Sequence, residues 1–367
     1  MLNAKDSTRG SARRSRLGPT LWIAAALTAL LVAALVYRLR TTGFAWDVFF
    51  ATFVHVRWPW LAGAMILLLL TYFGRALRWE VMLRPLRPKP SLWNVNSATV
   101  IGFTAIVLLG RAGEVVRPYL ISVKERVPFS SQMAAWFLER IFDMLLVLLI
   151  FGVALARMPA GLHVGPALQW VLRTGGYLAA SIGAICLLLL VAFRNFGASA
   201  QRRILSAITF LPDKLHARVE QMLQSFVQGM ECTRDRESLI LLVAYSVLEW
   251  ALILGGLFCI FRAIPATAYF GVTDVMIFCG FAAFGGVVQI PGIGGGVQMV
   301  SILVLTEMFK IPLETATGLA ILIWLLTWVL VVPFGLAYAF HEGLNWKRIS
   351  HISEDVETQS EPRAAPL

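Results

Sequence analysis

Charged residues are scarce in this sequence. Only 14% of its 367 residues are charged and 58% are hydrophobic, whereas soluble globular domains carry about 25% charged residues. The mean hydropathy of +0.73 excludes a chain of soluble domains, because so little charge cannot solvate their exteriors. Disordered and collagenous chains are excluded by the same composition. The composition predicts a polytopic membrane protein.

Cysteine and histidine are also sparse, and their spacing excludes several kinds of site. The four cysteines form no CxxC pair and three of them lie in apolar segments, so neither a disulfide framework nor a zinc site is indicated. The five histidines form no HExxH motif, and no nucleotide-binding motif is present. We expect no metal, no cofactor and no enzymatic activity.

Six apolar stretches approach the length of about 20 residues that a membrane span requires. They are Leu21–Tyr37, Trp60–Leu77, Met133–Ala156, Trp170–Phe193, Leu239–Phe261 and Ala316–Phe340. The first follows a basic tail, residues 1–20, and no small-residue cleavage site follows it, so we interpret it as an uncleaved signal anchor. The sequence thus predicts a membrane domain over residues 21–345 and a polar, disordered tail over 346–367.

Three further apolar segments are too short or too interrupted to span securely. They are Leu92–Leu109, Val272–Ile290 and Val297–Phe309. Such lengths indicate half-helices or re-entrant elements, with short kinked spans as the alternative. We therefore predict an all-α polytopic membrane protein with about six full spans and two re-entrant or broken elements, one from each face. Opposed broken helices are typical of transporters whose substrate site lies near the helix tips.

The net charge of +11 is distributed unevenly over the predicted loops. With both termini in the cytoplasm, and with each broken segment returning to the side it entered, 24 of the 32 basic residues face the cytoplasm and seven face the outside. Cytoplasmic loops are enriched in lysine and arginine. The asymmetry predicts that both termini are cytoplasmic, and it favours anionic lipid over nucleic acid as the partner.

The large inner loop, residues 194–237, contains an amphipathic stretch. Its apolar side chains share one helical face, and they are Leu215, Val219, Met222, Leu223, Phe226 and Met230. This pattern predicts a helix that lies on the membrane surface or packs under the bundle.

Two arginines close the second predicted span. Arg75 and Arg78 are three residues apart and share a helix face. Ionisable residues at membrane depth are costly and are functional candidates by default. Arginines at the end of a span also extend to the interface, with Trp79 as an anchor, so the motif alone leaves both interpretations open.

The segment Gly110–Tyr119 repeats a charge every three residues. On a helix Arg111, Glu114 and Arg117 form a ladder in which Glu114 is placed to pair with both arginines. The guanidinium fork of arginine matches two phosphate oxygens. The ladder is therefore a candidate headgroup site, a candidate structural salt bridge, or both.

A third charged motif opens the span Met133–Ala156. Glu139 and Asp143 lie four residues apart on one face, with Arg140 beside them. Three charges at this depth are not expected to face lipid. We predict that they pair with the Arg111–Arg117 ladder or with the arginines of the second span.

A glycine-rich run precedes the helix expected near Val297. Its backbone amides could hold an anion at the positive helix end, and a flexible turn is the alternative. The residues singled out are Pro291, Gly292, Gly294, Gly295 and Gly296. Other polar residues in apolar surroundings are candidates for lining a cavity, namely Glu249, Gln289, Gln298 and Glu307.

These motifs appear in the same order in a known family. They are GRALRW at 74–79, GRAGEVVRPYL at 110–120, ERIFD at 139–143 and PGIGGG at 291–296. Over roughly residues 20–345 the chain resembles the lysylphosphatidylglycerol synthase transmembrane-region family, also called flippase-like proteins. The resemblance implies an inner-membrane domain that moves lipids between leaflets. In bifunctional relatives the cargo is an aminoacylated phosphatidylglycerol made by an appended synthase domain, and stand-alone members are implicated with polyprenyl carriers and hopanoids.

Two positions depart from the family pattern. Gln298 stands nearest to a position where the family often has a glutamate, and Trp324 stands where its last span often has an arginine. The outer half of the implied site therefore loses charge. The chain ends at Leu367 with a short polar tail, so we expect a stand-alone member without the synthase domain and without aminoacyl transfer.

The function predicted from the sequence is flipping or scrambling of an anionic phospholipid or an isoprenoid-linked lipid. The residues expected to meet the headgroup are Arg75, Arg78, Arg111 and Arg117. Those expected to support them or shape the cavity are Glu114, Glu139, Arg140, Asp143 and Gln298. A membrane-embedded transferase, or a scaffold that partners a lipid-modifying enzyme, is the alternative.

Overall fold

A computed structural model describes residues 43–157, 181–188, 213–286, 289–290 and 294–343. It divides the chain into two compact units, Met1–Val48 and Phe49–Leu367. Among the described residues of the first unit, the rings of Phe44 and Trp46 pack edge to face with centroids 5.0 Å apart.

Some predicted segments lie outside the described residues. These are the N-terminal tail 1–20, the signal anchor Leu21–Tyr37, the C-terminal tail 346–367, the first part of the loop 194–237, and all of Trp170–Phe193 except residues 181–188, which are helical. The remaining predicted spans and both broken elements can be compared with the structure.

Ten α-helices are defined in the described residues. They are α1 Trp46–Val54, α2 Trp58–Leu83, α3 Leu92–Leu109, α4 Val116–Glu125, α5 Phe129–Ala156, α6 Asp213–Gly229, α7 Arg236–Ala263, α8 Val272–Gly285, α9 Gly296–Glu307 and α10 Leu313–His341. A 3₁₀ helix, Gly110–Val115, joins α3 to α4. The extended residues are two short strands, β1 Gln289–Ile290 and β2 Gly294–Gly295, which pair antiparallel.

Long apolar helices confirm the all-α polytopic membrane fold. Helices α2, α7 and α10 and the segment Leu92–Glu125 are each long and apolar enough to cross a bilayer. Helix α5 has 28 residues, or about 42 Å at 1.5 Å per residue, and carries three charges. The predicted spans Trp60–Leu77, Met133–Ala156, Leu239–Phe261 and Ala316–Phe340 lie within α2, α5, α7 and α10.

The segment Leu92–Glu125 is a re-entrant hairpin, named hairpin A, and not a span. Its two arms touch along their length, because a Cβ added at Gly102 would lie 2.5 Å from the Cβ of Arg117. At its open end, Asn94 Nδ2 donates to Glu125 Oε1 at 2.7 Å. The chain therefore leaves hairpin A beside the point where it entered.

Hairpin B comprises α8, the two short strands and α9. Its arms meet where a Cβ added at Gly285 would lie 2.6 Å from the carbonyl oxygen of Gly296. The first arm ends at Gly285, five residues before the predicted end at Ile290, because the chain there enters the two-residue ladder that reverses its direction.

The hairpins enter from opposite ends of the helix bundle. Helices α2 and α7 are antiparallel, since the Arg57 amide donates to Ala263 O at 2.9 Å and Arg75 pairs with Glu249. Hairpin A opens where α2 ends, and there Arg87 Nε lies 3.0 Å from Glu125 Oε2. Hairpin B opens where α2 begins, and Phe270, Ile311 and Leu61 share one apolar cluster there. We name these the A end and the B end.

The same helix–hairpin–helix unit thus occurs twice, in opposite directions. The first repeat is α2, hairpin A and α5, and the second is α7, hairpin B and α10. In each repeat the last helix follows a basic residue with positive φ, Arg126 at 55° and Lys310 at 56°, and then a proline N-cap, Pro128 and Pro312.

Each repeat also packs its last helix on the hairpin of the other. Gly280 of α8 lies against Phe151 of α5, where an added Cβ would come within 2.3 Å of the ring. Gly335 of α10 lies against Thr104 of α3, where an added Cβ would be 1.8 Å from the hydroxyl oxygen. This exchange fixes both hairpins inside the bundle.

The predicted amphipathic helix of the inner loop is α6. It packs against the start of α5, because a Cβ added at Gly229 would be 2.4 Å from Ser131 O, and Met230 just beyond it is buried. Met222, on the same predicted apolar face, is 60% exposed. The helix therefore packs on the bundle at its C-terminal end and leaves apolar surface uncovered further along.

Candidate functional site

Arg78 of α2 lies at the centre of a buried network of charges. Its side chain is fully buried. Arg78 therefore does not extend to the membrane interface. Nη1 donates to Asp143 Oδ1 at 2.7 Å and to Ser246 Oγ at 3.1 Å. Nη2 donates to Glu139 Oε1 at 2.5 Å and lies 3.3 Å from Glu249 Oε2. One arginine thereby ties α2 to α5 and α7.

Glu139 of α5 is the carboxylate that most of the arginines share. It is fully buried, and it contacts Arg117 of α4 through both oxygens, with Arg117 Nη1 donating to Oε1 at 3.2 Å. Arg140 Nη2 lies 3.5 Å from Oε2. The predicted pairing of the ERIFD carboxylates with the ladder and with the second-span arginines is found for Arg117 and Arg78.

Aromatic rings enclose the arginines of α2 and α4. The Arg117 guanidinium carbon lies 4.5 Å from the Trp79 ring centroid, and that of Arg75 lies 4.6 Å from the Phe103 centroid. A cation over an aromatic face is attracted by the ring quadrupole, more strongly where water is excluded. Gly102 lets α4 approach closely enough for this stacking.

Arg75 pairs with Glu249 of α7, a partner that sequence reasoning did not assign. Arg75 Nη2 lies 2.7 Å from Glu249 Oε1, and the Glu249 side chain is fully buried. The one sequence signal for this residue is a carboxylate in the middle of an apolar span. Its partner lies 174 residues away, and the packing of α2 on α7 brings the two together.

The tips of the two hairpins meet at Arg111. Its Nη2 donates to the Gly286 carbonyl of hairpin B at 3.0 Å, and its Nη1 donates to Glu114 Oε1 at 3.3 Å. Glu114 does not bridge to Arg117 as the ladder predicted. The 3₁₀ turn aligns residues three apart, but α4 begins at Val116 and directs Arg117 into the bundle towards Glu139.

The glycine-rich run lies only partly in the described residues. Pro291 and Gly292 are outside them, Gly294 and Gly295 form β2, and Gly296 is buried at the start of α9. The Gly295 amide, at φ +119°, donates to Gln298 Oε1 at 2.7 Å. Gln298 thus caps α9 and occupies an amide that was predicted to hold an anion.

The network carries more positive than negative charge. It contains four arginines, Arg75, Arg78, Arg117 and Arg140, and three carboxylates, Glu139, Asp143 and Glu249, so one positive charge is in excess. Electrostatic attraction is strong where water is excluded. Within the described part of the chain, no three metal-binding side chains converge.

Comparison with curated proteins gives one distant relative. The chain is 25% identical over 190 residues to "Glycosyltransferase AglD" of Haloferax volcanii. The match covers 47% of this chain and 30% of that protein, so the chain spans less than a third of the relative's length. No solved structure matches the chain.

Comparison with protein families confirms the resemblance carried by the four motifs. The profile described as "Lysylphosphatidylglycerol synthase TM region" matches residues 21–335. The match includes the first repeat, the second repeat as far as residue 335, and every residue of the arginine–carboxylate network. The chain therefore belongs to the lysylphosphatidylglycerol synthase TM region family.

Proposed function

We propose that this protein moves a phosphate-bearing lipid from one leaflet of the membrane to the other. The cargo is an anionic phospholipid or an isoprenoid-linked lipid. The observation that carries the proposal is the buried arginine–carboxylate network that joins hairpin A to α2, α5 and α7. Movement of an intact lipid requires no bond to break, so the proposal includes no enzymatic step.

The cost of the buried charges supports a functional role. Ionisable residues in a span cost roughly 2.5–3.5 kcal/mol each on insertion scales. Pairing offsets part of this cost, but one positive charge stays in excess. A lipid phosphate complements that charge, because its oxygens match the guanidinium fork. In this proposal Arg75, Arg78, Arg111 and Arg117 provide the positive potential that attracts the headgroup.

The two hairpins support transport between leaflets. Irregular backbone at membrane depth is tolerated where it is buried in protein or lines a cavity. The two tips are joined by the hydrogen bond from Arg111 to Gly286, and the hairpins enter from opposite ends. A site of this kind lies between the leaflets, which is where a headgroup passes during flipping.

The distribution of basic residues over the loops supports an orientation of the protein in the membrane. We assign the A end to the cytoplasm, because Arg84, Arg87, Lys89 and Arg126 lie on its loops and cytoplasmic loops are enriched in basic residues. The end of α10 is then cytoplasmic, because Glu342 pairs with Lys124 of hairpin A. We further propose that Leu21–Tyr37 crosses the membrane, so that the N-terminus is cytoplasmic as well, and that the membrane is the inner membrane of a bacterium, as the family resemblance implies.

A second candidate function rests on the Haloferax volcanii relative, whose name states glycosyl transfer. For this chain the corresponding candidate is a membrane-embedded transferase acting on a lipid phosphate, or a scaffold for such an enzyme. A transferase would need a carboxylate base such as Glu139 or Asp143. Both already contact arginines, which disfavours that role.

Reconstitution of the purified protein into liposomes tests the proposal. Fluorescent lipids with anionic, zwitterionic and isoprenoid-phosphate headgroups are placed in both leaflets, and a membrane-impermeant quencher measures their exchange. We expect exchange of at least one phosphate lipid, and its loss in Arg111→Ala. Arg157→Ala, at the C-terminal end of α5 and outside the network, is the matched control.

Two results would overturn the proposal. Folded protein that exchanges none of the lipids would favour the transferase or scaffold. Exchange that Arg111→Ala leaves unchanged would remove the hairpin tips from the path.

A further inference from the structure

The arginines of the network differ in how far they reach its surface. The Arg78 and Arg117 side chains are 0% and 4% exposed, whereas that of Arg140 is 42% exposed. Arg140 is the twelfth of the 28 residues of α5, which places it about 17 Å along the helix. The exposed charge therefore lies well inside a helix of membrane-spanning length.

The surroundings of Arg140 are partly exposed on the same face of α5. Phe137 and Met144 lie three residues before and four residues after it, so they share its helix face. They are 36% and 37% exposed. Arg140 therefore presents a partly exposed charge between two exposed apolar side chains, at a depth where an uncompensated charge is costly.

The carboxylates beside Arg140 neutralise it weakly. Arg140 Nη2 lies 3.5 Å from Glu139 Oε2 and 3.4 Å from Asp143 Oδ2. The same two carboxylates make contacts of 2.5 and 2.7 Å to Arg78. Ion pairs weaken with distance, so the excess positive charge of the network is concentrated at Arg140.

The tip of hairpin A extends this charged surface. Glu114, which pairs with Arg111, also attracts Arg140 electrostatically. Arg111 is 54% exposed and in turn binds hairpin B through Gly286. Arg111 is thus a second exposed guanidinium, and it shares the carboxylate of Glu114 with Arg140.

We propose that Arg140 is the entry site at which the phosphate of an anionic lipid passes sideways from the bilayer into the bundle, between α5 and the tip of hairpin A. Arg111 is the next cation on this path. Arg78, Arg117 and Glu139 hold α2, α4 and α5 in place, and the two arginines also contribute to the positive potential behind the entry site. This inference rests on the proposed function, because it names how the cargo reaches the same network.

The chemistry of the surface selects an amphiphile. Arg140 takes the phosphate, while Phe137 and Met144 contact the acyl chains. A free phosphate ion would match the arginine alone, and it would have to reach this depth through hydrocarbon. Lipid and free phosphate share the recognition chemistry, so the experiment includes both.

Photo-crosslinking in nanodiscs tests the proposal without requiring transport. Phe137 is replaced by photoreactive p-benzoylphenylalanine in the full chain, and the nanodiscs contain equal amounts of phosphatidylglycerol and phosphatidylcholine. Both headgroups carry a phosphate, but the choline cation of phosphatidylcholine offsets its charge. We therefore expect crosslinks to favour phosphatidylglycerol severalfold. Leu149, 60% exposed on the same helix, carries the photoreactive group in the control and should show no preference.

Two variants of Arg140, and competition by inorganic phosphate, identify the cause of any preference for phosphatidylglycerol. Arg140→Gln should abolish the preference at position 137 while leaving the total crosslinking yield unchanged, and Arg140→Lys should restore part of it. Added inorganic phosphate should not compete. Competition by phosphate would assign the site to a free anion, and either equal labelling at positions 137 and 149 or a preference that survives Arg140→Gln would overturn the proposal.

The outcome is distinguishable from that of the proposed function. A preference that depends on Arg140, in protein that moves no lipid, would uphold the binding site and reject transport. Lipid exchange that Arg140→Gln leaves intact would uphold transport and reject this entry path.

Discussion

Arg78 and Glu139 are 61 residues apart in the sequence, yet Arg78 Nη2 donates to Glu139 Oε1 at 2.5 Å and both side chains are fully buried. The same carboxylate also holds Arg117 through both of its oxygens. Three helices, α2, α4 and α5, therefore depend on one carboxylate. Removing its charge would leave two buried guanidinium groups with fewer partners than they need.

Glu139→Gln should therefore destabilise the fold. We expect it to lower the free energy of unfolding by roughly 3–5 kcal/mol, the range for breaking a buried pair. Thermal unfolding in detergent measures the loss. The control is Glu80→Gln, whose partner Arg84 is one helical turn away with a side chain 38% exposed, and whose cost should stay below about 1 kcal/mol. Equal effects of the two variants would show that the network does not stabilise the bundle.

Gly113→Ala should disrupt hairpin A. A Cβ at this position would lie 2.3 Å from the backbone of Ala105, so the two arms would have to separate. Gly74→Ala is the control, because a Cβ there meets nothing within 4 Å and alanine favours a helix by about 1 kcal/mol over glycine. We expect a clear fall in the melting temperature for Gly113→Ala and none for Gly74→Ala. A neutral Gly113→Ala would contradict the close packing of the arms.

The re-entrant hairpins predict which loops share a side of the membrane. Lys89 and Arg126 flank hairpin A and are exposed, and Tyr269 and Lys310 flank hairpin B and are exposed. Single cysteines at these positions, in a variant lacking the native four, should react with a membrane-impermeant thiol reagent from one side for the first pair and from the other side for the second. Labelling of positions 89 and 126 from opposite sides would show that residues 92–125 cross the membrane.

Asp235 makes helix α7 sensitive to acid. Its Oδ2 accepts a hydrogen bond from the Ser238 amide at 2.8 Å, and this bond lowers the pKa of Asp235 below its ordinary value. A lowered pKa stabilises the folded state above the unfolded pKa, about 3.9, and the contribution disappears as the pH falls through the folded pKa. Asp235→Ala should lower the melting temperature at pH 7.

The pH profile separates the carboxylate from other effects of that change. The difference in melting temperature between Asp235→Ala and the unaltered protein should shrink as the pH falls below about 4. Asp235→Asn keeps an N-cap acceptor without a charge. The melting temperature of this variant should therefore lack the pH dependence that the ionised Asp235 contributes. A difference that stays constant with pH would assign the effect to something other than the ionised cap.

Local chemistry made some helix ends predictable. The bounds of α3, Leu92–Leu109, are those predicted, because Ser91 accepts from the Asn94 amide at one end and Gly110, at φ +65°, stops the helix at the other. The end of α8 could not be located from the sequence. Apolar character continues to Ile290, whereas α8 ends at Gly285, where the arms of the hairpin meet at Gly296.

The sequence predicted that the buried carboxylates pair with arginines, but it identified only some of the pairs. The cost of burying charge requires that the ERIFD carboxylates meet arginines, and they do. Arg75 pairs with Glu249 because α2 packs against α7, and no local sequence pattern indicates that packing. The second repeat left one readable trace, since Arg126-Val127-Pro128 matches Lys310-Ile311-Pro312 in residue type and in backbone conformation.

The two repeats are alike in backbone and different in chemistry. Aligned at the starts of their hairpins and of their last helices, Arg78 corresponds to Phe258, Glu139 to Ile323 and Arg140 to Trp324. The first repeat thus supplies most of the buried charge, the second adds Glu249, and the positions that correspond to Arg78, Glu139 and Arg140 are apolar. In the proposed transport a headgroup would therefore exchange charged surroundings for apolar ones as it passes from the first repeat to the second, and the hairpins of the two repeats touch at Arg111 and Gly286.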